Sequence, residues 1–206
     1  MKKAIIFDVD GTLWDSTYRI AESYNETMKR LNLNCSEISR EMICSFMGYL
    51  REEIADIVFP NYDLKERLAY IDICMEDECK YLKNHPGCLY DDVEEVLNIL
   101  SKRYDLYIIS NCQDGYIETL FSNYHIQDFF KDYECSGRTG MKKGDNIKLI
   151  MERNNIENAV YIGDTAKDKQ ACEEADIPFI YASFGFGEIV NYEPKISKFK
   201  DLLNLL

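Results

Sequence analysis

The stretch "KAIIFDVDGTLWDS" (residues 3–16) sets a short apolar run directly against two aspartates and a glycine. The letters "AIIF" form the kind of continuous apolar segment that a strand covered on both faces shows. Strand alternation places Asp8 and Asp10 on the same side of the chain. Gly11 then allows a sharp turn immediately after the pair. We therefore predict a buried strand that delivers two carboxylates to one edge of a sheet.

Three more apolar segments of this type follow along the chain, and helical patterns separate them. They read "DLYIIS" (105–110), "AVYIGD" (159–164) and "PFIYAS" (178–183). Strands that alternate with helices predict β-α-β units and a parallel sheet. We therefore expect an α/β fold with a Rossmann-like parallel sheet and helices on both faces.

One region interrupts this alternation. Between residues 17 and 83 the chain shows helical patterns and no convincing strand. We expect an inserted all-helical domain over residues 16–84, with the core formed by residues 1–15 and 85–206. Its acidic stretch "MEDE" (75–78) is predicted to be a solvated helix face.

Composition excludes several classes of function. The 206 residues carry a net charge of −13, which argues against nucleic acid as a partner because phosphate backbones require clustered Lys and Arg. No segment approaches the roughly 20 consecutive apolar residues of a membrane-spanning helix, so no membrane partner is expected. The first apolar run ends at Asp8, too early for a secretory signal. The eight cysteines form no C-x-x-C pair and the chain has two histidines, so no zinc site is expected. Because the chain is long and no secretory signal is expected, we predict reduced thiols and a cytoplasmic protein.

The predicted strand ends concentrate polar residues of one kind. In open α/β sheets, ligands bind outside the carboxyl ends of the strands. Four aspartates reach this edge and would repel one another, so a bound divalent cation is expected to neutralise them. Oxygen ligands without nearby His or Cys favour Mg²⁺, and neighbouring Ser, Lys and glycine amides favour a phosphate substrate. The candidate residues are Asp8, Asp10, Gly11, Thr12, Ser110, Asn111, Lys142, Lys143, Asp164 and Asp168.

The ordered motifs resemble the haloacid dehalogenase-like superfamily, in its phosphatase branch similar to phosphoglycolate phosphatase, with a helical cap inserted after the first strand. "DVDGT" (8–12) and "SN" (110–111) each end a predicted strand, a lysine precedes a helix in "MKKGDNI" (141–147), and "GDTAKD" (163–168) ends another strand. The likeness covers essentially the whole chain. "DVDGT" is the specific motif, while "SN" alone carries little weight.

The resemblance implies a role for each residue in the hydrolysis of a small phosphorylated metabolite. Asp8 would be the nucleophile that forms an aspartyl-phosphate, and Asp10 the general acid and base. Ser110 and Lys143 would bind the transferring phosphoryl group, with Asn111, Gly11 and Thr12 beside it. The implied Mg²⁺ ligands are Asp8, the backbone carbonyl of Asp10 and Asp164, with Asp168 acting through water or through the lysine.

Several alternatives stay open at this stage. Lys142 competes with Lys143 as the phosphate-binding lysine, because Gly144 stands where the family often has proline. Arg51 is either a substrate-facing residue of the cap or a surface charge, and Trp14 either lines the pocket mouth or packs in the core. A sugar phosphomutase and a non-catalytic binding protein of the same fold are alternative functions. The sequence leaves the oligomeric state open, a monomer included.

Overall fold

The computed structural model of the protein describes residues 3–206, and a six-stranded sheet forms its centre. The four strands predicted from the sequence are present within one residue at each end. Two further strands join them at the sheet edges. The sheet strands are β1 (Ala4–Phe7), β4 (Asp105–Ser110), β5 (Phe130–Cys135), β6 (Ala159–Gly163), β7 (Phe179–Ala182) and β8 (Lys195–Ile196).

The strand order is β5-β4-β1-β6-β7-β8, and every neighbouring pair is parallel. The chain leaves β1 toward β4 and β5, then returns to build β6, β7 and β8 on the other side. This reversal beside β1 creates the crevice in which open α/β sheets bind their ligands. The structure therefore confirms the predicted α/β class with a parallel sheet.

Strand β1 shows how this sheet is buried on both faces. Ile5 and Phe7 belong to one apolar cluster, whereas Ala4 and Ile6 belong to the other. All four side chains are at most 2% exposed. Because successive strand residues point to opposite faces, a strand between two helical layers must be apolar at every position, as "AIIF" is. Packing on both sides fixes where β1 ends, and so fixes the turn that follows it.

Helices cover both faces of the sheet. Between the sheet strands β1 and β4, the chain forms a run of four helices. That run, which we call the helical block, comprises α1 (Thr17–Arg30), α2 (Arg40–Phe46), α3 (Arg51–Val58) and α4 (Leu64–Asn84). The remaining helices are α5 (Val93–Leu100), α6 (Tyr116–Tyr124), α7 (Ser136–Thr139), α8 (Lys143–Arg153), α9 (Ala166–Ala175) and α10 (Leu202–Leu205). The division into a core domain and a cap domain stays a prediction.

Two short strands mark the places where the chain enters and leaves the helical block. They are β2 (Trp14–Asp15) and β3 (Cys88–Leu89), and they pair antiparallel, Trp14 opposite Leu89 and Asp15 opposite Cys88. Gly87 allows this close approach, since a Cβ there would lie 2.7 Å from the Asp15 carbonyl oxygen. The two connections therefore run side by side.

Within residues 3–206, none of the helices combines the length and the apolar character needed to cross a membrane. All eight cysteines lie in this range and are free thiols.

Candidate active site

The turn after β1 holds Asp8 directly against residues from other strand ends. Asp8 is 3% exposed. Gly11 has φ +76°, and a Cβ there would lie 2.1 Å from the Asp164 carboxylate. Only glycine meets both conditions, because other residues rarely adopt this conformation and have no room here. Thr12 is fully buried beside Gly11, and its hydroxyl finds no hydrogen-bond partner among the described residues.

Three of the four predicted carboxylates form one buried cluster. Asp8, Asp164 and Asp168 each place an oxygen within 4.8 Å of the others. Asp164 follows β6, and Asp168 is held by the first turn of α9, where its other oxygen accepts hydrogen bonds from the backbone N–H and hydroxyl of Thr165. The structure thus assembles at one point residues that lie 156 and 160 positions from Asp8 along the chain.

A single lysine faces this acidic cluster. Lys143, 4% exposed, places Nζ 2.9 Å from Asp8 Oδ1 and 2.5 Å from Asp168 Oδ1. Burial lowers the pKa of Lys143, but the charges of Asp168 and Asp8 outweigh it, so the net shift is upward and the ammonium form is stabilised. Lys142, the alternative, is exposed, and the structure brings Lys143 rather than Lys142 to Asp8.

One lysine leaves the cluster with excess negative charge. Burial, followed by the charge of Asp168, raises the pKa of Asp8 to about 7 although Lys143 lowers it. Burial and the charges of Asp168 and Asp8 also raise the pKa of Asp164. One oxygen of Asp164 accepts a 2.6 Å hydrogen bond from the Phe186 N–H, whereas Oδ1 is buried without a partner in the described chain. A cluster of carboxylate oxygens with one unpartnered oxygen fits a hard divalent cation such as Mg²⁺.

Asp10 differs from the other three aspartates because its side chain lies outside the acidic cluster. Only its backbone carbonyl was predicted to bind the metal. Its Oδ1 accepts hydrogen bonds from Trp14 Nε1 at 3.1 Å, Ser16 Oγ at 3.0 Å and the Tyr116 hydroxyl at 2.6 Å. Burial raises the pKa of Asp10 to about 6, against the lowering effect of these hydrogen bonds. The two aspartates of "DVDGT" therefore lie in different surroundings, Asp8 in the acidic cluster and Asp10 beside neutral donors. Trp14 is fully buried and positions Asp10.

The end of β4 supplies Ser110 and Asn111. Ser110 is buried, and its hydroxyl accepts a 3.2 Å hydrogen bond from the Cys112 N–H. Asn111 donates from Nδ2 to the Gly48 carbonyl oxygen at 2.8 Å, and its Oδ1 accepts from the Ser136 hydroxyl at 2.9 Å. Because Gly48 lies between α2 and α3, Asn111 links the sheet edge directly to the helical block.

A second link joins the same two regions. Lys167, in α9, pairs with Glu53 of α3 at 2.6 and 2.7 Å, and its ammonium lies 3.6 Å from the centre of the Tyr49 ring. Arg51, considered as a substrate-facing residue, instead pairs with Asp72 and Glu52 on the helical block itself.

A cavity lies between the strand ends and the helical block, and Asp8, Asp10, Ser110 and Asn111 form part of its wall. The prediction that "MEDE" is a solvated face is wrong for Glu78, which is 3% exposed and lines this cavity. Ile71, Met75 and Leu82 are also buried, so Glu78 interrupts the apolar stripe of α4 at helical spacing. This acidic residue at an otherwise apolar position of α4 was the sequence signal that could have predicted the burial of Glu78. The other lining residues that the sequence analysis did not identify include Tyr24, Gln113 and Tyr116.

Comparison with known proteins places this geometry in a family. A model of the family "Haloacid dehalogenase-like hydrolase" matches residues 5–182. A phosphoglycolate phosphatase from Colwellia psychrerythraea is 27% identical over 223 residues, covering 98% of this chain and 96% of that protein. A phosphoserine phosphatase from Bos taurus is 29% identical, covering 98% of this chain and 92% of that protein.

A solved structure gives the same result. A haloacid dehalogenase-like hydrolase from Streptococcus pneumoniae superposes with a TM-score of 0.84 at 26% identity, covering 99% of this chain and 98% of that one. The resemblance drawn from the ordered motifs and the prediction of an enzyme are both confirmed. The chain belongs to the haloacid dehalogenase-like hydrolase family.

Proposed function

We propose that this protein is a Mg²⁺-dependent phosphatase that hydrolyses a small phosphate monoester through an aspartyl-phosphate on Asp8. The observation that carries the proposal is the separation of the two motif aspartates. Asp8 lies with Lys143 in the acidic cluster, whereas Asp10 lies among neutral donors on the cavity side. This separation supports a mechanism in which Asp8 attacks phosphorus and Asp10 exchanges protons. The relatives named as phosphatases support the hydrolysis of a small phosphate monoester.

The chemistry follows from these positions. A carboxylate oxygen of Asp8 attacks phosphorus, and the bond from phosphorus to the ester oxygen breaks. Asp10 gives its proton to the departing alkoxide and later takes one from the water that attacks the aspartyl-phosphate. That second attack breaks the bond between Asp8 and phosphorus and releases inorganic phosphate. The raised pKa of Asp10 suits a group that must act as both acid and base near neutral pH.

The remaining residues would bind the phosphoryl oxygens or the cation that neutralises their charge. Asp8, Asp164 and the backbone carbonyl of Asp10 would hold Mg²⁺, which supplies charge neutralisation for the phosphoryl oxygens. Lys143 and the Ser110 hydroxyl would bind the same oxygens. Asp168 holds Lys143 in place through the 2.5 Å contact between Nζ and Oδ1.

The helical block would act as a cap domain over residues 16–84, with residues 1–15 and 85–206 as the core. The links from Asn111 to Gly48 and from Lys167 to Glu53 hold the two regions together above the site. Closure of such a cap excludes water during phosphoryl transfer. A cytoplasmic location is proposed on the eight free thiols.

A phosphomutase is less well supported. It must hold a second phosphate of a bisphosphate intermediate, which calls for Lys or Arg in the cavity. Among the described residues that line the cavity, none is Lys, Arg or His.

The test is release of phosphate from p-nitrophenyl phosphate with Mg²⁺. The wild type should turn over, and Asp8→Asn should lose about 10⁴-fold or more in kcat, because no other group replaces the nucleophile. Asp145→Asn, an exposed change on α8, is the matched control and should keep the wild-type rate. Retained turnover in Asp8→Asn would exclude the aspartyl-phosphate mechanism.

A further inference from the structure

The cavity above Asp8 and Asp10 must receive the part of the substrate that leaves as an alcohol. Asp10 lies in its wall, and under the proposed mechanism Asp10 contacts the ester oxygen. The rest of the leaving group therefore extends toward the helical block. The side chains that line this part of the cavity determine which leaving group is accepted.

Aromatic rings form much of this lining. Tyr24 of α1, Phe46 of α2, Tyr49 of the following loop and Tyr116 of α6 all contribute. The faces of aromatic rings carry negative potential and attract cations, most strongly where water is excluded. Tyr49 already contacts an ammonium group, that of Lys167.

Glu78 adds a carboxyl group to the same cavity. Gln113 donates to its Oε1 at 3.0 Å, and the Tyr24 hydroxyl is also hydrogen-bonded to it. Within residues 3–206, Glu78 forms no ion pair, although it is 3% exposed. Burial raises the pKa of Glu78 to about 8, and the charge of Asp10 adds to this shift. A buried carboxyl without a cation is unfavourable, and an arriving cation would relieve that cost.

The neighbouring surface offers little to a negatively charged leaving group. An adjoining cavity, which shares Asn111, Cys112 and Gln113 with the first, is lined by Arg51 and Lys142. Arg51 is neutralised by Asp72 and Glu52. Lys142 is exposed, and it could pair with the carboxylate of a substrate that extends into the adjoining cavity.

We propose that Glu78 and the surrounding aromatic rings bind an ammonium group, so that the preferred substrates are short aminoalkyl phosphate monoesters rather than carboxylate-bearing ones. This inference rests on the proposed phosphatase function and names the substrate class of that site. It separates this chain from the phosphoglycolate phosphatases to which it is similar. Glu78 acts as a substrate-binding residue and takes no part in the chemistry at phosphorus.

The test compares kcat/KM for three monoesters of primary alcohols with Mg²⁺ present: phosphoethanolamine, propyl phosphate and phosphoglycolate. The wild type should prefer phosphoethanolamine to phosphoglycolate by about 100-fold, with propyl phosphate between them. Glu78→Gln keeps the shape of the side chain and removes its charge, and it should reduce that preference by about 10-fold or more. Glu76→Gln, on the exposed side of α4, should leave the preference unchanged.

Two results would overturn the inference. A wild type that prefers phosphoglycolate to phosphoethanolamine would exclude it without any variant, even if Glu78→Gln failed to fold. A Glu78→Gln variant that folds, by circular dichroism, and keeps the wild-type preference would exclude Glu78 as the ammonium site. A Lys142→Met variant that selectively loses phosphoglycolate turnover would accompany the first result and locate the carboxylate in the adjoining cavity.

These outcomes differ from a failure of the proposed function. If the protein is not a phosphatase, none of the three esters and no p-nitrophenyl phosphate is hydrolysed with Mg²⁺. If it is a phosphatase with another selectivity, at least one ester is hydrolysed and only the order of preference changes.

Discussion

The sheet edge and the helical block place carboxyl groups in opposite kinds of surroundings. At the sheet edge, Asp8, Asp164 and Asp168 lie together around one lysine, and their oxygens fit a divalent cation. On the helical block, Glu78 lies alone among aromatic rings and amides. The first arrangement suits phosphoryl transfer whatever the alcohol. The second has no bearing on phosphorus and suits recognition of the alcohol. Under the proposed function, catalysis and selectivity would therefore depend on different regions of the molecule.

The largest expected effect concerns Asp10, which lies at the boundary between the sheet edge and the helical block. Asp10→Asn should lower kcat for an alkyl phosphate by about 10²–10⁴-fold, because the alkoxide then leaves without a proton. The loss should be smaller for p-nitrophenyl phosphate, whose leaving group needs no protonation. Steady-state rates on the two substrates check this. Equal losses on both would assign Asp10 to another step.

The second prediction concerns Glu78, whose buried carboxyl should lower the free energy of unfolding when it is ionised. Its folded pKa of about 8 lies above the ordinary 4.5, so the folded protein binds more protons than the unfolded chain between these values. Stability should therefore fall as pH rises from about 5 to 8. Glu78→Gln lacks this dependence and should be more stable than the wild type by about 4 kcal/mol at pH 8.5, and by about 1 kcal/mol or less at pH 5.

Urea unfolding at both pH values measures this difference, and Glu76→Gln is the control. Other groups near Glu78 stay the same in wild type and variant, so their titration cancels to first order. They are Asp10 and Tyr116 across the cavity, Tyr24 of α1, and Cys74 and Cys79 of α4. A stability difference that does not change with pH would show that Glu78 stays protonated or has a cationic partner.

Asp164 tests the cation requirement at the sheet edge. Mg²⁺ at about 100 times its Kd should stabilise the wild type by about 2.7 kcal/mol, a rise in Tm of roughly 5–10 °C. Asp164→Asn removes a ligand and should lose most of this rise, while Asp145→Asn should keep it. Thermal unfolding with Mg²⁺ and with EDTA measures both. An unchanged Mg²⁺ response in Asp164→Asn would place the cation elsewhere.

The smallest effect concerns the ion pair that joins the two regions. Lys167 and Glu53 are 34% and 43% exposed, so their pair is worth about 1 kcal/mol or less. Glu53→Gln should raise KM by up to about 5-fold and leave kcat nearly unchanged. Glu173→Gln, which removes a pair within α9, is the control. A loss in kcat above 10-fold would mean that Glu53 does more than hold the helical block closed.

The same contrast explains what could be predicted from the sequence. Strands β1, β4, β6 and β7 are apolar because both faces are covered, and the polar residues after them are distinctive for that reason. Strand β5 was not predicted because it carries the charged residues Lys131, Asp132 and Glu134. It lies at the sheet edge, so it lacks the continuous apolar run of the inner strands. Strand β8 has only two residues and no pattern to read.

The candidate cavity was less predictable than the strand ends. Glu78 sits in an acidic run that looks solvated, and its burial depends on how α4 packs over the strands. Tyr116 lies 106 residues from Asp10 and meets it only through the fold. Neither residue belongs to a motif, since α4 and α6 position these side chains through packing rather than through a local turn. The sequence therefore predicted which residues meet at the strand ends better than it predicted which residues line the cavity.

The paired strands β2 and β3 have a consequence for how this chain could be rebuilt. Trp14 and Leu89 face each other across an antiparallel ladder, so the two chain ends that flank the helical block are about 5 Å apart. A two-residue hairpin turn spans such a gap. The helical block could thus be replaced by a short turn, or by a different insert, without moving strands β2 and β3. A transplant of selectivity between scaffolds would begin at these two residue pairs.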